Sequence, residues 1–169
     1  NKDNSGALKF FRSSKFLIKQ HNSYLSSYTY SLVLEGKVQQ ASSEIKQNLT
    51  KKSSNFFEAY LILSLDSLKK KNYQKSKDYL KQSYKFINND KYALIIYETL
   101  NQYLYVFEEK KILKTKKTFL NLSLINEVFQ RCYLGDKDTQ NYFEILLNNA
   151  DNLDYSRYIF FYVNYLVEN

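Results

Sequence analysis

Residues 59–90 read AYLILSLDSLKKKNYQKSKDYLKQSYKFINND. Apolar side chains recur at three- and four-residue spacing, as in Tyr79, Leu80, Tyr84 and Ile87, which marks one face of an α-helix and not the alternation of a strand. Ser64, Ser76 and Ser83 sit on or beside these apolar stripes. Larger side chains would bury more surface there. Small ones predict that a neighbouring helix comes close, with the adjacent Leu and Tyr filling the remaining space. Serine is expected to do this slightly worse than alanine or glycine.

The rest of the chain extends the same pattern. Its 169 residues contain no Pro and only three glycines, Gly6, Gly36 and Gly135, which leaves a sheet-rich fold short of turn residues. The fold class is therefore all-α, expected as a single domain over 1–169. Caps and periodicity place helices near 5–20, 23–35, 38–50, 55–70, 73–87, 91–109, 116–133, 138–149 and 154–167. Ser23, Ser54, Asp90 and Asp138 are the expected N-caps, because a short side-chain oxygen accepts from the first free amides. Gly36, Gly135 and Asn72 suit the left-handed position that ends a helix.

An internal period appears when EGKVQQASSEIKQNL (35–49) is laid on KNYQKSKDYLKQSYK (71–85). Val38 falls on Tyr73, Ala41 on Ser76, Ile45 on Leu80 and Asn48 on Ser83, an offset of 35 residues. Each segment follows a helix of similar length, so the repeating unit is helix, turn, helix.

The stretch from Phe57 to Asp90 resembles the tetratricopeptide repeat family, whose unit is an antiparallel helix pair of about 34 residues. Tyr60, Leu63 and Ser64 stand at that family's aromatic, apolar and small positions of the first helix. Tyr73, Ser76, Leu80 and Ser83 match the aromatic, small, large and small positions of the second. A weaker copy spans 22–56 with Leu25, Ala41, Ile45 and Leu49, where Tyr28 and Thr29 replace the aromatic and small residues. The resemblance implies a solenoid of about eight or nine helices, with 91–109 paired to 116–133 and 138–149 to 154–167 as degenerate repeats or a cap. It also implies a concave surface, lined by the first helix of each pair, that takes a partner protein or peptide. On this chain those positions are Ser26, Tyr30 and Val33 in one copy and Leu61, Leu65, Leu68 and Lys69 in the other. An irregular helical bundle is the competing reading.

Few residues offer chemistry. His21 is the sole histidine and has no carboxylate near it in sequence to orient it, so a structural or solvent role is expected. Cys132, among Phe129, Tyr133 and Leu134, reads as a small hydrophobe. One His and one Cys cannot build a soft-ligand zinc site, and Asp136-Lys137-Asp138 lacks the remaining oxygen ligands of a calcium loop. No phosphate-cradling glycine loop exists. The expectation is a chain without catalytic residues, metal or cofactor. Asn48-Leu49-Thr50 and Asn121-Leu122-Ser123 match the glycosylation pattern at a frequency that chance explains in so Asn-rich a chain.

The net charge of +8 is uneven. Residues 118–169 hold three bases and seven acids, a net −4, which leaves +12 on the first 117 residues. Lysine clusters at 69–85 and 110–117 would attract nucleic acid, but arginine, the residue for bidentate phosphate and base contacts, is scarce and no nucleic-acid motif is present. A solvated lysine face is preferred, and contact with an anionic membrane surface stands on similarly unspecific ground. No transmembrane segment is expected. The aromatic stretches 28–36 and 158–169 read as core, with a protein interface as the competing reading.

Together these features predict a non-catalytic bacterial scaffold for protein–protein interaction. The alternative is the helical ectodomain of an envelope or surface lipoprotein that binds an external ligand. The start Asn1-Lys2-Asp3-Asn4, without Met, suits a processed or excised chain. It places the expected compartment in the cell envelope or periplasm, with the cytoplasm as alternative.

Overall fold

The computed structural model describes residues 3–21, 23–50, 55–113, 120–148 and 156–168, and among them every regular element is helical. In order these are α1 (Asn4–Ser13), α2 (Tyr24–Leu34), α3 (Val38–Asn48), α4 (Phe57–Lys69), α5 (Tyr73–Ser83), α6 (Lys91–Glu109), α7 (Leu120–Leu134), α8 (Thr139–Asn148) and α9 (Ser156–Glu168). The chain forms two compact units, 1–101 and 102–169.

The first expected helix, 5–20, divides. Asp3 starts α1 by accepting from the Gly6 amide at 2.8 Å, and α1 stops at Ser13, whose hydroxyl bonds back to the Phe10 carbonyl at 2.9 Å. Such local serine bonds compete with the helical ladder. A short 3-10 turn, Lys15–Lys19, follows. Asp90 caps α6 as expected, accepting from the Tyr92 and Ala93 amides. Ser23 precedes α2 but makes no side-chain cap, and before α8 it is the Asp136 carboxylate, not Asp138, that receives an amide, that of Asp138 at 2.8 Å. Ser54 lies outside the described residues.

Two helix-closing residues with positive φ stand 35 residues apart in the chain. Gly36 has φ +70° and Lys71, 35 residues on, has φ +57°. The Gly36 amide donates to the Val33 carbonyl and that of Lys37 to Leu32. Lys71 and Asn72 donate in the same way to Leu68 and Ser67. Both turns are the Schellman arrangement that closes a helix. Asn72, the expected left-handed residue, is instead the N-cap of α5, its side chain accepting from the Lys75 amide at 3.1 Å. A carboxamide can hold an N-cap and a lysine side chain cannot, so the strained φ falls on Lys71. Gly135, at φ +64°, closes α7 with the same pair of bonds.

Both helix pairs bury the positions aligned from sequence, with one exception. Leu25, Tyr28, Thr29, Ala41, Ile45 and Asn48 are buried in the α2–α3 pair, as are Tyr60, Leu63, Ser64, Ser76, Leu80 and Ser83 in α4–α5. Val38 breaks the match by lying exposed. The stripe of serines turns out to be bonded. The Ser64 hydroxyl donates to the Ser76 carbonyl at 2.9 Å and the Ser76 hydroxyl donates to the Ser64 carbonyl at 2.8 Å. Serine is thus not a poorer alanine here, because its hydroxyl ties α4 to α5 as well as letting them meet.

Between the pairs, α3 meets α4 through Ile45, Ala59 and Leu63 and through a buried carboxylate. Asp66 accepts from Ser42 Oγ at 2.9 Å, from Lys46 Nζ at 2.6 Å and from Lys70 Nζ at 2.9 Å. Burial by itself would raise the Asp66 carboxyl, but the bonds from Lys46, Lys70 and Ser42 outweigh it and hold the group well below its ordinary 3.8. A depressed carboxylate contributes stability that is complete above 3.8 and is lost as pH falls through the group's own lower pKa. Asp66→Asn is therefore expected to cost about 1–2 kcal/mol at neutral pH, moderated because both lysines reach solvent. In urea titrations the gap between wild type and Asp66→Asn should shrink as pH drops below 3.8. A gap that ignores pH would show that the ionised pair contributes nothing.

In the unit spanning 102–169, α7 packs on α8 and α8 on α9; the second is the pair expected from sequence, and of the other expected pair, α6 with α7, the Phe107 ring lies 4.8 Å from that of Tyr133. The Gly135 turn reverses the chain directly, so consecutive helices α7 and α8 meet around Leu124, Val128, Phe143 and Leu146. Arg131 secures that turn, ion-paired to Glu127 at 2.8 Å and Asp136 at 3.2 Å, with its guanidinium 3.9 Å from the Tyr142 ring centroid.

Candidate docking groove

Three helices of the unit spanning 1–101 enclose a groove of about 820 Å³. α1 contributes Ala7 and Phe11, and α2 contributes the run Ser26, Ser27, Thr29, Tyr30, Ser31 and Val33. From α4 and the residue before it come Phe56, Glu58, Leu61, Ile62 and Leu65. The faces are fixed from behind. Phe11 meets the edge of Tyr24, whose hydroxyl donates to the Phe11 carbonyl, and this joins α1 to α2. Tyr28 and Leu32 anchor α2 to Ala41 of α3, and Asp66 locks α3 to α4.

The lining is apolar in character despite its hydroxyls. Ser26 Oγ donates to the Ser23 carbonyl, Thr29 Oγ1 to Leu25 and Ser31 Oγ to Ser27. Those donors are spent within α2. Among the described lining residues only Glu58 is charged. Tyr30 is 59 % exposed, Leu65 44 % and Val33 36 %, so each presents apolar surface at the mouth.

The structure brings together Ser26, Tyr30, Val33, Leu61 and Leu65 of the residues singled out from sequence. Leu68, half-buried, and Lys69, exposed, fall outside the lining. Ala7, Phe11, Phe56, Glu58 and Ile62 line it unanticipated. The first two belong to a helix that precedes the period, and no register relates them to the later pairs. Leu61 has a second role, packing against the Phe57, Ile87 and Ala93 cluster, so substitution there mixes binding with stability.

His21 is exposed at the end of the 3-10 turn, and its backbone amide donates to Leu17. Cys132 is half-buried, and burial followed by the nearby Glu168 charge pushes its thiol up, away from a reactive thiolate. Among the described residues no group of three or more His, Cys, Asp and Glu comes together to hold a metal. Asn48 is buried with its amide donating to the Glu44 carbonyl, an arrangement unsuited to a glycan. Among the same residues no helix is long and apolar enough to cross a membrane.

The aromatic stretches split between their two readings. Tyr28 and Leu32 are core while Tyr30 and Val33 open on the groove. On α9, Tyr158, Tyr162 and Tyr165 pack on the Phe143 cluster while Ile159, Phe160, Val163, Leu166 and Val167 are exposed. Compared with protein-family models, curated proteins and solved structures, the chain matches none of them.

Proposed function

We propose that this chain is a non-catalytic interaction scaffold whose α1–α2–α4 groove takes an apolar segment of a partner protein. The fold reading that goes with it is a tetratricopeptide-like stack, in which α2–α3 and α4–α5 are successive units and their first helices form the concave face. The observation that carries the proposal is the groove itself: about 820 Å³, walled by apolar side chains, with Tyr30, Val33 and Leu65 left exposed at its mouth. Preformed apolar concavities with a few polar groups are the usual setting for binding. The 35-residue recurrence of turns and buried positions supports the stacked reading. The raised Cys132 thiol and the solvent-facing His21 support a non-catalytic one.

A partner would bind by seating apolar anchors against Tyr30 and Leu65, with the basic exterior steering acidic flanks. The test is a titration of a partner isolated on the immobilised domain, identified and purified. Leu65→Glu and Tyr30→Lys are expected to weaken binding at least about tenfold, since a charge would be desolvated in the contact. Val38→Glu, equally exposed but outside the groove, should leave it unchanged. Equal effects from all three, or none, would remove the groove as the binding surface.

A further inference from the structure

Phe10 and Phe16 are 60 % and 66 % exposed, and among the described residues of the unit spanning 1–101 they are the phenylalanines left so open to water. Unlike the exposed Tyr84 and Tyr92, they carry no hydroxyl that water can satisfy. Phe10 belongs to α1 and Phe16 to the 3-10 turn Lys15–Lys19, six residues further along the chain. Neither lines the groove. A single exposed ring needs no explanation, but two stand here within one short basic stretch.

Residues 4–34 hold Lys9, Arg12, Lys15 and Lys19 and no Asp or Glu. Lys15 is committed within the fold, ion-paired to the buried Glu44 and set over the Tyr28 ring. Lys9, Arg12 and Lys19 are exposed and make no ion pair among the described residues. Asp3, at the start of α1, accepts from the Gly6 amide of its own helix. On α1, Lys9, Phe10 and Arg12 project away from the side on which Leu8 and Phe11 pack inward. Leu8, Phe11, Leu17 and Ile18 seat both elements on Tyr24 and Tyr28, and the Tyr24 hydroxyl donates to the Phe11 carbonyl. The two exposed rings are thus offered from a backbone fixed in advance, which leaves little ordering to be done on binding.

We propose that the outer face of α1 and this turn docks on an anionic lipid bilayer. Phe10 and Phe16 enter the boundary between headgroups and acyl chains, while Lys9, Arg12 and Lys19 meet lipid phosphates. Charge and chemistry select this occupant. An anionic bilayer sets phosphate and hydrocarbon within a headgroup's depth of each other, which matches rings without a polar end edged by lysine and arginine. The surface is separate from the groove, so neither reading depends on the other.

Co-sedimentation of the full chain with vesicles of about 30 % phosphatidylglycerol in phosphatidylcholine tests this. Wild type is expected to sediment with them, to stay behind with pure phosphatidylcholine, and to bind severalfold less in salt of about 0.5 M. Lys9→Gln, Arg12→Gln and Lys19→Gln should each weaken partitioning about fivefold, and Phe10→Ser with Phe16→Ser at least about tenfold. Lys75→Gln, Lys81→Gln and Lys85→Gln remove the same charge from α5 and the turn after it, and together they should change binding by less than about twofold. All these side chains are exposed, so folding is expected to survive, with circular dichroism as the check. The chain has no Trp, so Phe16→Trp supplies a single reporter. Its emission should shift to the blue on anionic vesicles and be quenched by brominated acyl chains.

A wild type that ignores anionic vesicles overturns the proposal. Binding weakened as much by the α5 substitutions as by those at Lys9, Arg12 and Lys19 also overturns it, because diffuse lysine attraction would then need no docking face. A Phe16→Trp reporter that stays unquenched on bound chains does the same, since the contact would lie elsewhere or stop short of the hydrocarbon. Retention on a single-stranded oligonucleotide as tight as on the vesicles, and lost with the same side chains, would assign the face to nucleic acid instead.

Discussion

Ser64→Leu is expected to lower the unfolding free energy by about 2–4 kcal/mol, although it places an apolar residue on an apolar stripe. Ser64 and Ser76 are fully buried where α4 meets α5, and each hydroxyl donates to the other residue's carbonyl. The leucine must find room for its branched carbons between two backbones in contact, and overpacking of this kind costs about 1–3 kcal/mol. The lost hydrogen bond adds about 1 kcal/mol. Ser64→Ala isolates that last amount and should cost about 1 kcal/mol. Urea unfolding of the two variants beside wild type measures both. A leucine variant as stable as the alanine one would mean that α4 and α5 can part without loss, and the close-packed account of the pair would fail.

The second large effect belongs to the C-terminal unit. Phe143 is buried on α8, with ring centroids of Phe129, Tyr162 and Tyr165 at 6.3, 5.2 and 5.7 Å. One side chain thereby joins α7, α8 and α9. Phe143→Ala removes that centre and leaves a cavity, an expected loss of about 4 kcal/mol. At about 0.1 kcal/mol per residue, a unit of 102–169 has roughly 7 kcal/mol to lose, so most of its stability depends on this ring. Hydrogen exchange followed by mass spectrometry should show residues 120–148 losing protection. Phe143→Leu, which keeps most of the volume, should lose only about 1 kcal/mol. Unchanged exchange in Phe143→Ala would show that α7 and α8 hold together without it.

Part of the groove is legible in the sequence. Ser26, Tyr30, Val33, Leu61 and Leu65, which the tetratricopeptide resemblance implies as one face of the first helix in each pair, all lie in the groove lining. Lys69 and Leu68 share that implied face and yet lie beyond the lining, since the groove ends where α4 approaches its Schellman turn. Phe11 and Ala7 could not be found in this way. They reach the groove only because Tyr24 and Phe11 set the angle of α1 against α2, a contact between residues 13 apart that no repeat encodes.

Features settled within a few residues of chain can be read from the amino acids alone. Helix positions follow from periodicity, the left-handed closures at Gly36 and Gly135 from the absent Cβ, and the Asp90 cap from a short carboxylate next to free amides. The helical class follows from the same local rules, applied to a chain without proline. Whatever depends on two segments meeting emerges only in the folded chain. Folding makes Ser64 and Ser76 a mutual clasp, brings Lys46 of α3 to Asp66 beside its near neighbour Lys70, pairs α7 with α8, and divides α9 into a packed tyrosine side and an exposed ridge. The reason is physical: a backbone conformation is set by neighbours in the chain, whereas burial and hydrogen-bond partners are set by which surfaces arrive together.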